Sequence, residues 1–76
     1  MTDYDLDTTG LRCPEPVMML HRQIRSMKAG EVVRVLATDP ATQRDIPQFC
    51  EFLSHDLLEQ GEQDDHYWYR VRKSGR

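Results

Sequence analysis

Residues 13–37 read CPEPVMMLHRQIRSMKAGEVVRVLA, and this stretch decides the fold. Val17, Leu20, Ile24 and Met27 recur at three- and four-residue spacing, which lines one stripe of a helix over residues 14–28. Pro14 and Pro16 are compatible with a helix only in its first turn, where a missing N–H leaves no intrahelical bond unmade. They fix its start. Gly30 marks its stop, and Lys28 sits well against the negative end of the helix dipole. Residues 31–37 are then Val-rich and nearly all apolar, the composition of a central strand. A helix leading into such a strand implies a parallel partner before it, and the alternating residues 4–8 supply one, with a turn at Thr9-Gly10.

Downstream, Thr38-Asp39-Pro40 breaks the strand. A second helix is expected from near Asp45, with Gln48 completing a capping box and Pro47 in the first turn. Ile46, Cys50, Leu53 and Leu57 would form its buried stripe, and it would end before Gly61. Residues 58–63 fit either a helix end or a strand. Asp64-Asp65 reads as a turn. Residues 66–73 alternate, with Tyr67, Tyr69 and Val71 on one face and Trp68, Arg70 and Arg72 on the other. Residues 74–76 read as a frayed tail. The order is β-α-β-α followed by one or two strands. The right-handed crossover rule puts both helices on one face of a small mixed sheet, an α+β two-layer arrangement.

A chain of 76 residues with 38% apolar and 30% charged side chains makes one water-soluble domain over residues 1–76 with a small core. That length leaves no room for a deep pocket holding a large cofactor, and no cofactor is expected. No apolar run is long enough to span a membrane, and the acidic start lacks a signal-peptide pattern, so a cytoplasmic protein is expected. Two cysteines in that compartment are reactive or packed more often than bridged. A net charge of −3 argues against a basic nucleic-acid binder, so direct tRNA binding is not expected, and the domain reads as a monomer.

Cys13 is the candidate catalytic residue. A thiol at a helix start meets unpaired backbone N–H groups and the positive dipole end, which favour the nucleophilic thiolate. Arg12 would add to this effect and Glu15 would oppose it. Pro16 occupies the place of the second cysteine in a Cys-x-x-Cys motif, so a sulfur species on Cys13 has no local resolving thiol. Arg12, Pro14, Glu15 and Pro16 are thus the supporting residues, and the pattern favours a carrier over a dithiol redox enzyme. Cys50 falls on an apolar stripe and reads as a packed side chain.

Met18 and Met19 point away from the buried stripe, Met19 most of all. They suit an adaptable docking surface or are simply exposed apolar residues. Met18, Arg22 and Arg25 share a face, either a solvated stripe or one that attracts an acidic partner. His21, His55 and His66 are dispersed. His21 lies about 12 Å of helix rise from Cys13, too far for a Cys–His pair, and no spacing suggests a metal site. Trp68, Arg70 and Arg72, with Lys73 and Arg76 beyond, form one aromatic-basic cluster, either an RNA-stacking surface or the open face of a sheet.

The run Leu6-Asp7 through Gly10-Leu11-Arg12-Cys13-Pro14-Glu15-Pro16 resembles the signature of the TusA (SirA-like) sulfur-carrier family. Gly30-Glu31, Asp39-Pro40-Ala41-Thr42, Arg44-Asp45-Ile46-Pro47 and Phe49-Cys50 resemble it in order and spacing, so the likeness covers residues 6–73. The resemblance implies a β-α-β-α-β-β sandwich, two helices on one face of a mixed four-stranded sheet. It implies that Cys13 carries persulfide sulfur from a cysteine desulfurase. The acceptor it implies is a DsrE-like relay complex leading to 2-thiouridine at the tRNA wobble position; other members supply molybdenum-cofactor maturation or sulfur oxidation. It places partner contact at Glu15, Met18, Met19 and Arg22. Two departures stand out: His21 replaces a position that is often basic, and the connection from the second helix to the last strand reads as short. Two rival readings are a thiol–disulfide oxidoreductase using Cys13 with Cys50, and an RNA-binding or regulatory module using the Trp68 strand.

Overall fold

The computed structural model describes residues 2–75. Strand β1 (Tyr4–Thr8) leads to helix α1 (Glu15–Arg25), β2 (Val32–Ala37), α2 (Thr42–Phe52), β3 (Asp56–Gln63) and β4 (His66–Arg72). The sheet order is β1-β2-β4-β3. β1 runs parallel to β2, and the other two pairings are antiparallel. This is the expected α+β sandwich. Leu20, Ile24 and Met27 meet Ile46 and Cys50 of α2 over Val33, Val35, Ala37, Tyr69 and Val71 of the sheet. All ten are buried, and their removal from water is the main stabilising contribution.

The boundaries differ from the sequence reading for local reasons. α1 ends at Arg25 because Ser26 caps it, its N–H donating to Gln23 O at 3.1 Å and its hydroxyl to the same oxygen at 2.8 Å, while the Met27 N–H donates to Ile24 O at 3.0 Å. Met27 remains buried beyond the helix end. Pro16 joins Leu20 and Ile24 as a buried α1 residue, while Val17 is only half-buried.

α2 begins three residues earlier than expected. Thr42 starts it, with its hydroxyl donating to Asp39 O at 2.7 Å and sharing a 2.9 Å hydrogen bond with Tyr69 Oη. Asp45 is therefore a first-turn acid and not a cap, and Pro47 lies inside the helix. The helix ends at Phe52, well before Gly61. His55 N–H donates to Cys50 O at 2.8 Å and Ser54 N–H to Glu51 O at 3.3 Å, with Ser54 at φ 62°. That is a Schellman motif with serine in the left-handed position, so the usual glycine signal is missing. Leu53 is consequently exposed, and Leu57 lies on β3 opposite Val71. Residues 58–63 belong to β3, which also fills the connection that reads as short. The tail is held at Ser74, whose N–H donates to His55 Nδ1 at 3.1 Å.

Away from the helices, Trp68 lies directly over Gly61 on the neighbouring strand. Arg70 pairs with Glu59, and Arg72 donates to Asp56 at 2.9 Å. Arg70 and Arg72 on this open sheet face therefore each have a cross-strand carboxylate. Arg76, the far end of that cluster, lies outside the described residues.

A side chain at position 61 would meet the indole, since an added Cβ would sit 2.7 Å from Trp68 Cζ2. Overpacking of this kind costs about 1–3 kcal/mol. Gly61→Ala should lower the urea midpoint correspondingly and shift Trp68 fluorescence; an unchanged midpoint and spectrum would contradict the packing.

Candidate sulfur site

Both helix starts lie beyond the C-terminal ends of the parallel pair β1–β2, where α/β crevices form. Cys13 lies in the loop after β1, exposed, one residue before the α1 cap Pro14 and joined to it by a cis peptide. Asp39 follows β2. Its Oδ2 accepts the Cys13 N–H at 2.7 Å, and its Oδ1 accepts the Ala41 N–H at 3.0 Å. Gly10 N–H donates to Thr38 Oγ1 at 2.8 Å, a second tie between the same loops. Both amide hydrogen bonds hold the Asp39 carboxyl below the usual carboxylate range.

The sulfur itself faces α2. Cys13 Sγ donates to Asp45 Oδ2 at 3.0 Å, and Arg44 Nε donates to Asp45 Oδ1 at 3.1 Å. Cys13, Val17, Asp45, Phe49 and Phe52 line an open groove of about 950 Å³ between the helices. Phe52 is 87% exposed at its side.

This geometry corrects the expected activation of Cys13. The thiol is pushed up from its ordinary value, first by its hydrogen bond to Asp45, then by desolvation and the charges of Asp45 and Asp39; Arg44 opposes them less strongly. The helix-start amides do not converge on the sulfur, because Glu15 N–H donates to Arg12 O at 2.8 Å and Met18 N–H to Pro14 O at 3.1 Å. Arg12 acts on Asp39, lowering its pKa. Glu15 is exposed, and buried Pro16 fills the place of a second thiol.

Cys50 is 2% exposed, and burial pushes its thiol up to about 11. Both cysteines are free, so the dithiol rival lacks an accessible second sulfur. Met18 at 60% is more exposed than Met19 at 36%, the reverse of the expected ranking. Arg22 and Arg25 are exposed on the same helix. Two of the histidines are less dispersed than their spacing suggested: His21 packs edge-on against Phe49 at 5.7 Å, and Phe49 lies 5.9 Å from His55. No group of three or more metal-ligating side chains forms among the described residues. Sequence reasoning missed Asp39 and Phe52 as site residues and read Asp45 as a cap. The signal that could have found the two aspartates was their place in the family-like runs 39–42 and 44–47.

A small α+β sandwich with one exposed cysteine at the carboxyl end of its parallel strands defines the class: a thiol-bearing domain of the SirA-like fold. A crystal structure of a SirA-like protein from Desulfitobacterium hafniense matches that fold with TM-score 0.83, covering 95% of this chain and 99% of its own at 22% identity. The family described as Sulfurtransferase TusA matches residues 4–73, and the chain belongs to it. The sulfur carrier protein TusA of Pseudomonas putida W619 is 56% identical, with 96% of each chain covered. That of Pseudomonas entomophila L48 is 59% identical, covering 93% of this chain and 89% of the relative.

Two outcomes follow from the site. Under native conditions iodoacetamide should modify Cys13 alone, with Cys50 reacting only after unfolding; peptide mass mapping distinguishes them. Asp39→Ala should lose stability at neutral pH. The depressed Asp39 pKa contributes stability above the ordinary carboxylate value of about 3.9 and loses it as pH falls through the lower folded value. The gap between parent and variant urea midpoints should therefore close in acid.

Proposed function

We propose that the chain carries one sulfur atom as a persulfide on Cys13, taking it from a cysteine desulfurase and passing it to a DsrE-like relay protein, toward 2-thiouridine at the tRNA wobble position. Membership of the TusA family makes it a sulfur carrier, and the assignment of donor, acceptor and destination goes further. The observation that carries the reading is the contrast between its cysteines: Cys13 is exposed at the mouth of an open groove, and Cys50 is sealed in the core. A carrier has to present its sulfur to successive proteins and keep it from being resolved internally.

In loading, Cys13 Sγ attacks the outer sulfur of the donor's persulfide. A new S–S bond forms at Cys13, the donor's S–S bond breaks, and the donor leaves as a thiol after taking up the proton given by Cys13. In unloading, an acceptor thiol gives up its proton and attacks the outer sulfur; the acceptor's S–S bond forms, the S–S bond at Cys13 breaks, and Cys13 takes up a proton to return as a thiol. The exposed Met18, Met19, Arg22 and Arg25 of α1, the helix whose start lines the groove, would contact these partners, the methionines adapting to more than one surface. No described helix is long and apolar enough to cross a membrane, and the reading places the carrier in the cytoplasm, where thiols remain reduced.

Intact-mass measurement after incubation with a cysteine desulfurase and cysteine tests this. The parent should gain one sulfur atom, lost on reduction. Cys13→Ser should gain none and Cys50→Ser should load normally. A Cys13→Ser protein that still accepts sulfur would overturn the reading.

A further inference from the structure

We propose that Asp45 guards the sulfur site: it holds the proton on Cys13 Sγ in the free carrier, so that the sulfur becomes nucleophilic when a donor protein sets a lysine or arginine side chain against the Asp45 carboxylate. This rests on the persulfide reading above and adds to it a second working residue and a requirement on the donor.

The geometry supplies the argument. Asp45 Oδ2 stands 3.0 Å from Sγ and accepts its hydrogen bond. The Asp45 side chain is 17% exposed and sits in the first turn of α2, where the helix dipole favours its ionised form. Ionising Cys13 would place a second negative charge at that distance, with Asp39 bonded to the same residue's amide. The groups acting on Sγ from the packed elements are Asp45 and Arg44 of α2 and Asp39 of the preceding loop, and the two carboxylates outweigh the one guanidinium. Arg44 is 68% exposed, so solvent weakens its pairing with Asp45.

A protonated resting sulfur suits a carrier without a resolving cysteine, because oxidants attack the thiolate and a sulfenic acid on Cys13 would have no local thiol to reduce it. An incoming cation pairs with Asp45 and removes the penalty on the thiolate. The proton then leaves Sγ as the new S–S bond forms, and the departing donor thiolate takes up a proton, so the step balances. Glu51 also lines the groove, so its charge is complementary to such a cation.

The test uses the full chain carrying Cys50→Ser. Iodoacetamide alkylation rates are measured across pH, and persulfide loading is followed from glutathione persulfide and from a cysteine desulfurase. Asp45→Asn should move the alkylation midpoint to lower pH and speed both alkylation and loading from glutathione persulfide severalfold at neutral pH. Asp45→Glu should keep the parent profile, and exposed Arg44→Gln should move the midpoint upward. Desulfurase loading should gain much less from Asp45→Asn, since the donor's cation then has no carboxylate to neutralise. An unchanged or raised midpoint in Asp45→Asn overturns the guard, and an equal acceleration with both donors overturns the donor cation. Loading on Cys13 with an unchanged alkylation profile sinks this inference alone. The expected profile without any loading from the desulfurase sinks the carrier reading and supports the thiol–carboxylate linkage.

Discussion

The Asp39 carboxylate is the constraint on which the site depends. It accepts one amide hydrogen bond from Cys13 and one from Ala41, and so joins the loop that leaves β1 to the loop that leaves β2. The parallel pairing of those strands brings the two loops to one end of the sheet, and the crossover through α1 puts both helices over the same face. Once the loops are joined, the sulfur before α1 comes within hydrogen-bond distance of the first turn of α2. The groove between the helices and the contact of Cys13 with Asp45 follow from that placement.

Exposure and reactivity are separate properties at this sulfur. Cys13 is open to solvent, yet its immediate neighbours are carboxylates that favour the protonated form. A dithiol oxidoreductase needs the opposite: a low-pKa thiol with a second cysteine in reach. A carrier that meets several partners is better served by a sulfur that is accessible and quiet until a partner arrives. The open sheet face tells a similar story about charge, because Arg70 and Arg72 lie beside Glu59 and Asp56 across the strands.

The sequence by itself determined the core-facing residues of the first helix and both central strands. Leu20, Ile24, Met27, Tyr69 and Val71 are legible because burial imposes a period of three to four on a helix and of two on a strand, and β2 is legible as an almost unbroken apolar run. It also determined that Cys13 lies just ahead of α1 and that Cys50 is packed, since proline position and apolar spacing are local signals. The end of α2 was hidden because Ser54 adopts the left-handed conformation that glycine usually marks. Asp45 looked like a cap because Thr42, whose hydroxyl partner Tyr69 is 27 residues away, is the residue that starts the helix. The upward shift of the Cys13 thiol was decided by tertiary structure alone. Its partner is 32 residues distant, and a hydrogen bond across that separation leaves no periodic trace in the chain.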